Sequence, residues 1–173
     1  WSATLNVARL SPRIAAHAMS FLAINAGAMS AHYELIFDIQ QASTDRLAFT
    51  LPESTPNEIS IKGFGGLVVK EATSTVTNGR RAWTVSLGQR HSGTARLMID
   101  FNQPLVDQEP KGMALPIIVA EGVTRQSGTI AVEGDAELNI AIQAPAQIDV
   151  GELVDAEYMV GKRLLGAFGY VGN

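Results

Sequence analysis

The sequence predicts an all-β fold, an antiparallel β-sandwich of meanders and hairpins with at most one short helix. Apolar residues recur at every second position through much of the chain, the period of a strand with one buried face. Turn residues interrupt these runs at short intervals, as they do in sandwiches. The 173 residues are 46% hydrophobic and only 17% charged, enough for a sizeable core and too apolar for extensive disorder.

The elements follow in order. Trp1, Ala3, Leu5 and Val7 alternate with Ser2, Thr4 and Asn6, the pattern of a first strand. Residues 14–24 are apolar on all sides, and their Ala, Leu and Met content also suits a helix. The turn at Asn25-Ala26-Gly27 and the strand after it favour a buried hairpin. Residues 14–31, preceded by Arg9 and Arg13, also have the outline of a secretory signal or a membrane span. His17, Ser20, Asn25 and Ser30 interrupt that outline, so the hairpin is preferred and no membrane insertion is expected.

Tyr33, Leu35, Phe37 and Ile39 predict the next strand, and Leu47, Phe49 and Leu51 another that stops at Pro52, which cannot donate to a ladder. Ile59 and Ile61 follow before residues 63–66 (Gly-Phe-Gly-Gly) break the pattern. Residues 67–76 and the return through Trp83, Val85 and Leu87 form a hairpin about Asn78-Gly79, a pair suited to the positive φ angles of a type I′ turn. A polar turn at residues 89–93 leads to Ala95, Leu97, Ile99 and Phe101.

Pro104, Pro110 and Gly112 mark residues 102–114 as a connection. Strands are expected again at 115–120, 128–133 and 137–143, with a short one about Ile148 and Val150. A helix is expected at 152–160, with Leu153, Ala156, Tyr158 and Met159 on its apolar side, and a final strand within 163–173. The whole makes one module over residues 1–173, or two parts, 1–101 and 115–173, joined by the connection. Trp1 in first position leads us to expect a piece of a longer chain.

Composition narrows function by exclusion. The formal charge is −4, and apart from Arg9 and Arg13 no charged residue precedes Glu34. That balance excludes an extensively basic face, so no nucleic-acid partner is expected. With no cysteine, disulfides, thiol catalysis and cysteine-bound metals are excluded together. No nucleophile elbow, zincin helix, phosphate-binding loop, dinucleotide fingerprint or EF-hand loop occurs. Residues 63–66 are glycine-rich, but with no helix behind them they read as a turn or bulge.

A few residues remain as candidates. His17, His32 and His91 are far apart and form no ligand pair at strand or helix spacing. Glu133, Asp135 and Glu137 place three carboxylates at alternate positions, a candidate calcium site because calcium prefers hard oxygen ligands. The other reading of these acids is a solvated hairpin loop. Asp38, Asp100, Glu121 and Asp149 are numerous enough for a glycosidase pair, yet nothing in the sequence pairs them. Trp1, Trp83, Arg80 and Arg81 are the candidate ligand-binding residues: aromatic rings stack on sugars, and the two arginines form a basic tip beside the Asn-Gly turn. The alternation of Trp83 with Val85 and Leu87 places it equally well in the core.

Residues 45–52 (Asp-Arg-Leu-Ala-Phe-Thr-Leu-Pro), 123–132 (Val-Thr-Arg-Gln-Ser-Gly-Thr-Ile-Ala-Val) and 164–170 (Leu-Leu-Gly-Ala-Phe-Gly-Tyr) resemble β-rich sandwich modules of very large, membrane-anchored bacterial envelope proteins. The resemblance implies a non-catalytic structural or interaction module of a bacterial extracytoplasmic protein. Its partners would be other β modules or protein chains that pair along edge strands. The alternative expectation is a carbohydrate-binding module with a glycan ligand. Neither reading requires a cofactor.

Overall fold

A computed structural model describes residues 1, 4, 7–8, 10–105, 112–143 and 163–172. Those residues contain eight strands and no helix: β1 (Arg13–Ile24), β2 (Ala28–Pro52), β3 (Ser60–Gly63), β4 (Val69–Thr77), β5 (Arg80–Pro104), β6 (Val119–Glu121), β7 (Arg125–Gly134) and β8 (Leu164–Gly172). The all-β expectation is met. The helix expected at 152–160 and the short strand about Ile148 and Val150 lie outside the described residues.

Sheet topology corrects the antiparallel sandwich. The strands belong to one open mixed sheet in the order β3-β5-β2-β1-β7-β8, with β4 added to β5 and β6 to β2. β1 and β7 run parallel, His17 beside Ser127 and Leu22 beside Val132. Parallel neighbours require a long crossover. Here it is the hundred-odd residues between β1 and β7, a pairing that local alternation does not encode.

The two longest strands correct a second expectation. Residues 89–93 were expected to form a turn, and residues 33–39 and 47–51 to be separate strands. Instead β2 and β5 each run for 25 residues, paired along almost their whole length. The irregularities fall between Ile39 and Arg46, where Gln41 takes φ 68° and Gly93 φ 82°. A β-bulge bends a paired strand without ending it. Polar residues at these positions mark the bend, not a turn. Because of the bend, both halves of β2 and β5 bury their odd-numbered residues in a single core: Tyr33, Leu35, Phe37, Leu97 and Ile99 from one half, Leu47, Phe49, Leu51, Trp83 and Val85 from the other.

Several local readings hold. β1 forms over the ambiguous apolar stretch and pairs with β2 from Arg13–Gln40 to Ile24–Met29. Its turn is closed by Asn25, whose Oδ1 accepts from the backbone N–H groups of Gly27 and Ala28 at 3.0 and 2.8 Å. Asn78 and Gly79 both have positive φ, 53° and 74°, between β4 and β5, as a type I′ turn demands. Residues 137–143 do not form the expected strand. Their alternation is real, because Ile142 packs on the core, yet no ladder partner is present among the described residues.

The strand expected over 115–120 shrinks to β6, and side chains replace the ladder that the rest of this segment lacks. The Pro116 carbonyl accepts from the Tyr33 hydroxyl at 2.7 Å, and the Ile117 carbonyl from Arg80 Nη2 at 3.0 Å. The Ile118 carbonyl accepts from Gln126 Nε2 at 3.0 Å and from the Tyr170 hydroxyl at 3.2 Å. Gln126 Oε1 takes the Ala120 N–H at 2.7 Å. Buried backbone polar groups must be paired. These side chains let Ile118 sit fully buried while its chain crosses the core.

Tyr33 carries a pH prediction. Its burial, and next the proximity of Tyr170, push its pKa far above the ordinary value of 10.0. The folded state therefore keeps a proton that the unfolded chain releases above about pH 10. Stability is full below that pH and falls as pH rises beyond it. Urea melts from pH 8 to 11 should show this decline, and it should be shallower in Tyr33→Phe; identical slopes would refute the assignment.

Candidate functional site

Because side chains alternate, the even-numbered residues of β1 and the odd-numbered residues of β2 and β5 face the core, and their neighbours line the opposite face. That second face carries polar chemistry of a kind the core cannot. Its centre is a quartet of ionisable residues on β2 and β5. His32 and Asp100 are directly opposite one another, Nδ1 to Oδ1 at 2.5 Å. Glu34, two residues along, receives Arg96 Nη1 diagonally at 3.2 Å and lies 3.7 Å from His32 Nε2. Diagonal partners on neighbouring strands are within reach of long side chains. Arg96 also lies over the Phe64 ring, 5.2 Å from its centroid, which joins the quartet to the loop after β3.

Glu34 is 0% exposed. Beside it on β1 are Met19 and Phe21, which with Ala131, Ala167, Ile36 and Leu164 make a small apolar cluster of their own. A carboxylate held among such residues needs compensation. The guanidinium of Arg96 supplies it. The quartet thus brings Arg96 and Glu34, of opposite charge, into contact across β2 and β5.

A second polar group borders a cavity of about 450 Å³ on the same face, where β2, β1 and β7 meet. His17 Nδ1 and Ser127 Oγ are 2.9 Å apart, so the parallel pairing of β1 and β7 brings together residues 110 positions apart. Asp38 and Arg125 flank the neighbouring Ala15, one on each adjacent strand. Ile36 and Val171 supply apolar walls.

The residues singled out in the sequence are dispersed. Trp1 is fully exposed, whereas Trp83 is 7% exposed and packs on Phe49 with ring centroids 6.4 Å apart. Trp83 is a core residue and offers no ring face to a sugar. Arg80 and Arg81 point to opposite sides of β5, so they form no common basic tip. Arg80 is held by Thr50, Nε to Oγ1 at 2.7 Å, and by the Ile117 carbonyl. Arg81 is half-buried, its Nε without a hydrogen-bond partner.

Glu133 is the penultimate residue of β7, with Asp135 and Glu137 in the turn beyond, where Asp135 Oδ1 accepts from the Glu137 N–H. They do not converge on a calcium site: among the described residues no three histidine or acidic side chains come close enough to hold a metal ion. His91 is spent on the Thr94 carbonyl at 2.9 Å. Asp38 and Asp100 share a face but lie six register positions apart, roughly 20 Å at strand rise. Glu121 is on β6, and Asp149 lies outside the described residues. Glu34 and Asp100 do flank His32, yet the complete burial of Glu34 keeps it out of any cleft.

Sequence reasoning named His17, His32, Asp38 and Asp100 singly and missed Glu34, Arg96, Arg125 and Ser127. One signal was available: Glu34 is a carboxylate inside an otherwise apolar strand.

No family model matches the chain, and no curated protein matches it. Among solved structures it is similar to an M1 zinc metallopeptidase from Deinococcus radiodurans, at 12% identity and a TM-score of 0.45, over 92% of this chain and 38% of that one. It is also similar to leukotriene A4 hydrolase from Saccharomyces cerevisiae, at 11% identity and a TM-score of 0.42, over 91% of this chain and 27% of that one. The chain spans less than half the length of the structures it resembles.

Proposed function

We propose that this chain is a non-catalytic structural or interaction module of a larger bacterial extracytoplasmic protein, and that it works by pairing β8 with a strand of another β module. The observation that carries this reading is the character of β8. It ends the sheet, paired with β7 alone among the described residues. Its sequence, Leu-Leu-Gly-Ala-Phe-Gly-Tyr-Val-Gly, contains neither a charge nor a proline. Those are the devices by which edge strands usually resist pairing. An edge strand without them offers a row of backbone donors and acceptors to an added strand.

The test is sedimentation velocity over a wide concentration range. The parent is expected to associate as concentration rises. Val171→Lys, at an 84% exposed position of β8, is expected to stay monomeric because an edge lysine opposes strand addition. A parent that is monomeric at all concentrations, or a variant that associates equally well, overturns the edge reading. A glycan-array signal lost on Trp1→Ala would transfer the proposal to the carbohydrate-binding alternative.

A further inference from the structure

We propose that the cavity between β2, β1 and β7 binds a small zwitterion, an α-amino acid with a short aliphatic side chain. Ala15 is paired with Asp38 on one side and Arg125 on the other, so a methyl group separates a carboxylate from a guanidinium. Their backbones lie two strand spacings apart, roughly 10 Å. Across that gap no ion pair between Asp38 and Arg125 forms. Asp38 accepts from Gln40 Nε2 at 2.6 Å, which steadies the carboxylate and leaves its second oxygen available. Residues of opposite charge thus line one cavity on either side of Ala15, the smallest side chain that has a Cβ.

The next row of the sheet completes the site. Ile36, His17, Ser127 and Val171 follow one another across β2, β1, β7 and β8. The 2.9 Å contact between His17 and Ser127 fixes the two polar groups of the floor, and Ile36 and Val171 are the apolar residues on either side of them. An α-amino acid matches each part. Its carboxylate takes the planar fork of Arg125, a charge-assisted pairing, with the Ser127 hydroxyl close by. Its ammonium group lies toward Asp38. A short aliphatic side chain then meets Ile36 or Val171. A ligand of a single charge would satisfy one end of the site and meet repulsion at the other. A cavity of about 450 Å³ accepts a molecule of this size with room to spare.

The experiment is titration of the whole chain with L-valine, followed by calorimetry and by amide chemical shifts. Saturable binding is expected, with the largest shifts at Ala15, Ser127 and Arg125. Arg125→Gln and Asp38→Asn are each expected to weaken it by about tenfold, the loss of one charge-assisted hydrogen bond. Both positions are exposed, so the variants should fold, and circular dichroism checks this. N-acetylvaline should bind the parent as weakly as valine binds Asp38→Asn, and valinamide as weakly as valine binds Arg125→Gln. Absence of saturable binding overturns the proposal. So does binding that neither substitution changes, or equal affinity for valine and N-acetylvaline. None of these readouts depends on β8 pairing, so the two proposals stand or fall separately.

Discussion

Phe49→Ala is expected to lower the unfolding free energy by about 3–5 kcal/mol, and Leu97→Ala by about 2–5 kcal/mol. Phe49 is fully buried, paired in register with Trp83 on β5 and Ala120 on β6. Truncation removes its transfer free energy and leaves a void under the Trp83 ring, 6.4 Å away by centroid. The stacked pair contributes a further ~1 kcal/mol that burial alone does not count. Leu97 occupies the corresponding place in the other half of the bent sheet, between Leu35 on β2 and Gly63 on β3. There an added Cβ on Gly63 would meet the Leu67 backbone. Neighbouring backbone this close has little freedom to collapse into the space a leucine vacates. Urea melts with either variant within error of the parent would show that these rows do not face the core.

The same two residues show what the sequence could and could not reveal. Leu47, Phe49, Leu51 and Ala95, Leu97, Ile99 are readable as core because strand alternation is a local property, and burial of one face follows directly from it. The Asn78-Gly79 turn is readable for the same reason, since positive φ is a demand on two adjacent residues. What joins these rows is non-local. Nothing near Gln89 distinguishes a bulge that bends a paired strand from a turn that reverses it; both expose polar residues, and both can use a glycine such as Gly93. The difference lies in whether β2 and β5 stay paired across the bend, and that is settled by residues fifty positions away. The parallel pairing of β1 with β7 is hidden more completely.

The polar face was hidden by that same non-locality. His17 and Ser127 come together only through the parallel pair, and Asp38 joins them from a third strand. Segment 116–120 is a related case. It is apolar and extended, so a strand was the natural expectation. Its carbonyls are instead capped by Tyr33, Arg80, Gln126 and Tyr170, drawn from four other strands. Arg80 was read as a surface ligand because it sits beside a turn. Its guanidinium is instead part of the fastening that holds this segment over the core.

Glu34→Ala is expected to cost about 3–5 kcal/mol, as much as a core truncation, because removing one member of a buried pair leaves the other uncompensated. Arg96 has only 18% of its side chain exposed and would lose the carboxylate that Nη1 now contacts at 3.2 Å. His32 would lose its second neighbour and keep Asp100 alone of the two quartet acids. The informative comparison is with the double variant Glu34→Leu with Arg96→Met, which removes both charges and keeps their volume. If the pair serves mainly to set register, the double variant should recover most of the stability lost by Glu34→Ala, since well-packed apolar residues often replace a buried ion pair at no net cost. The coupling between the two sites is read from the complete cycle of urea melts. Glu34→Ala melting within about 1 kcal/mol of the parent would show that the carboxylate is not held by these partners. A double variant as unstable as the single one would assign the quartet a net stabilising role beyond register.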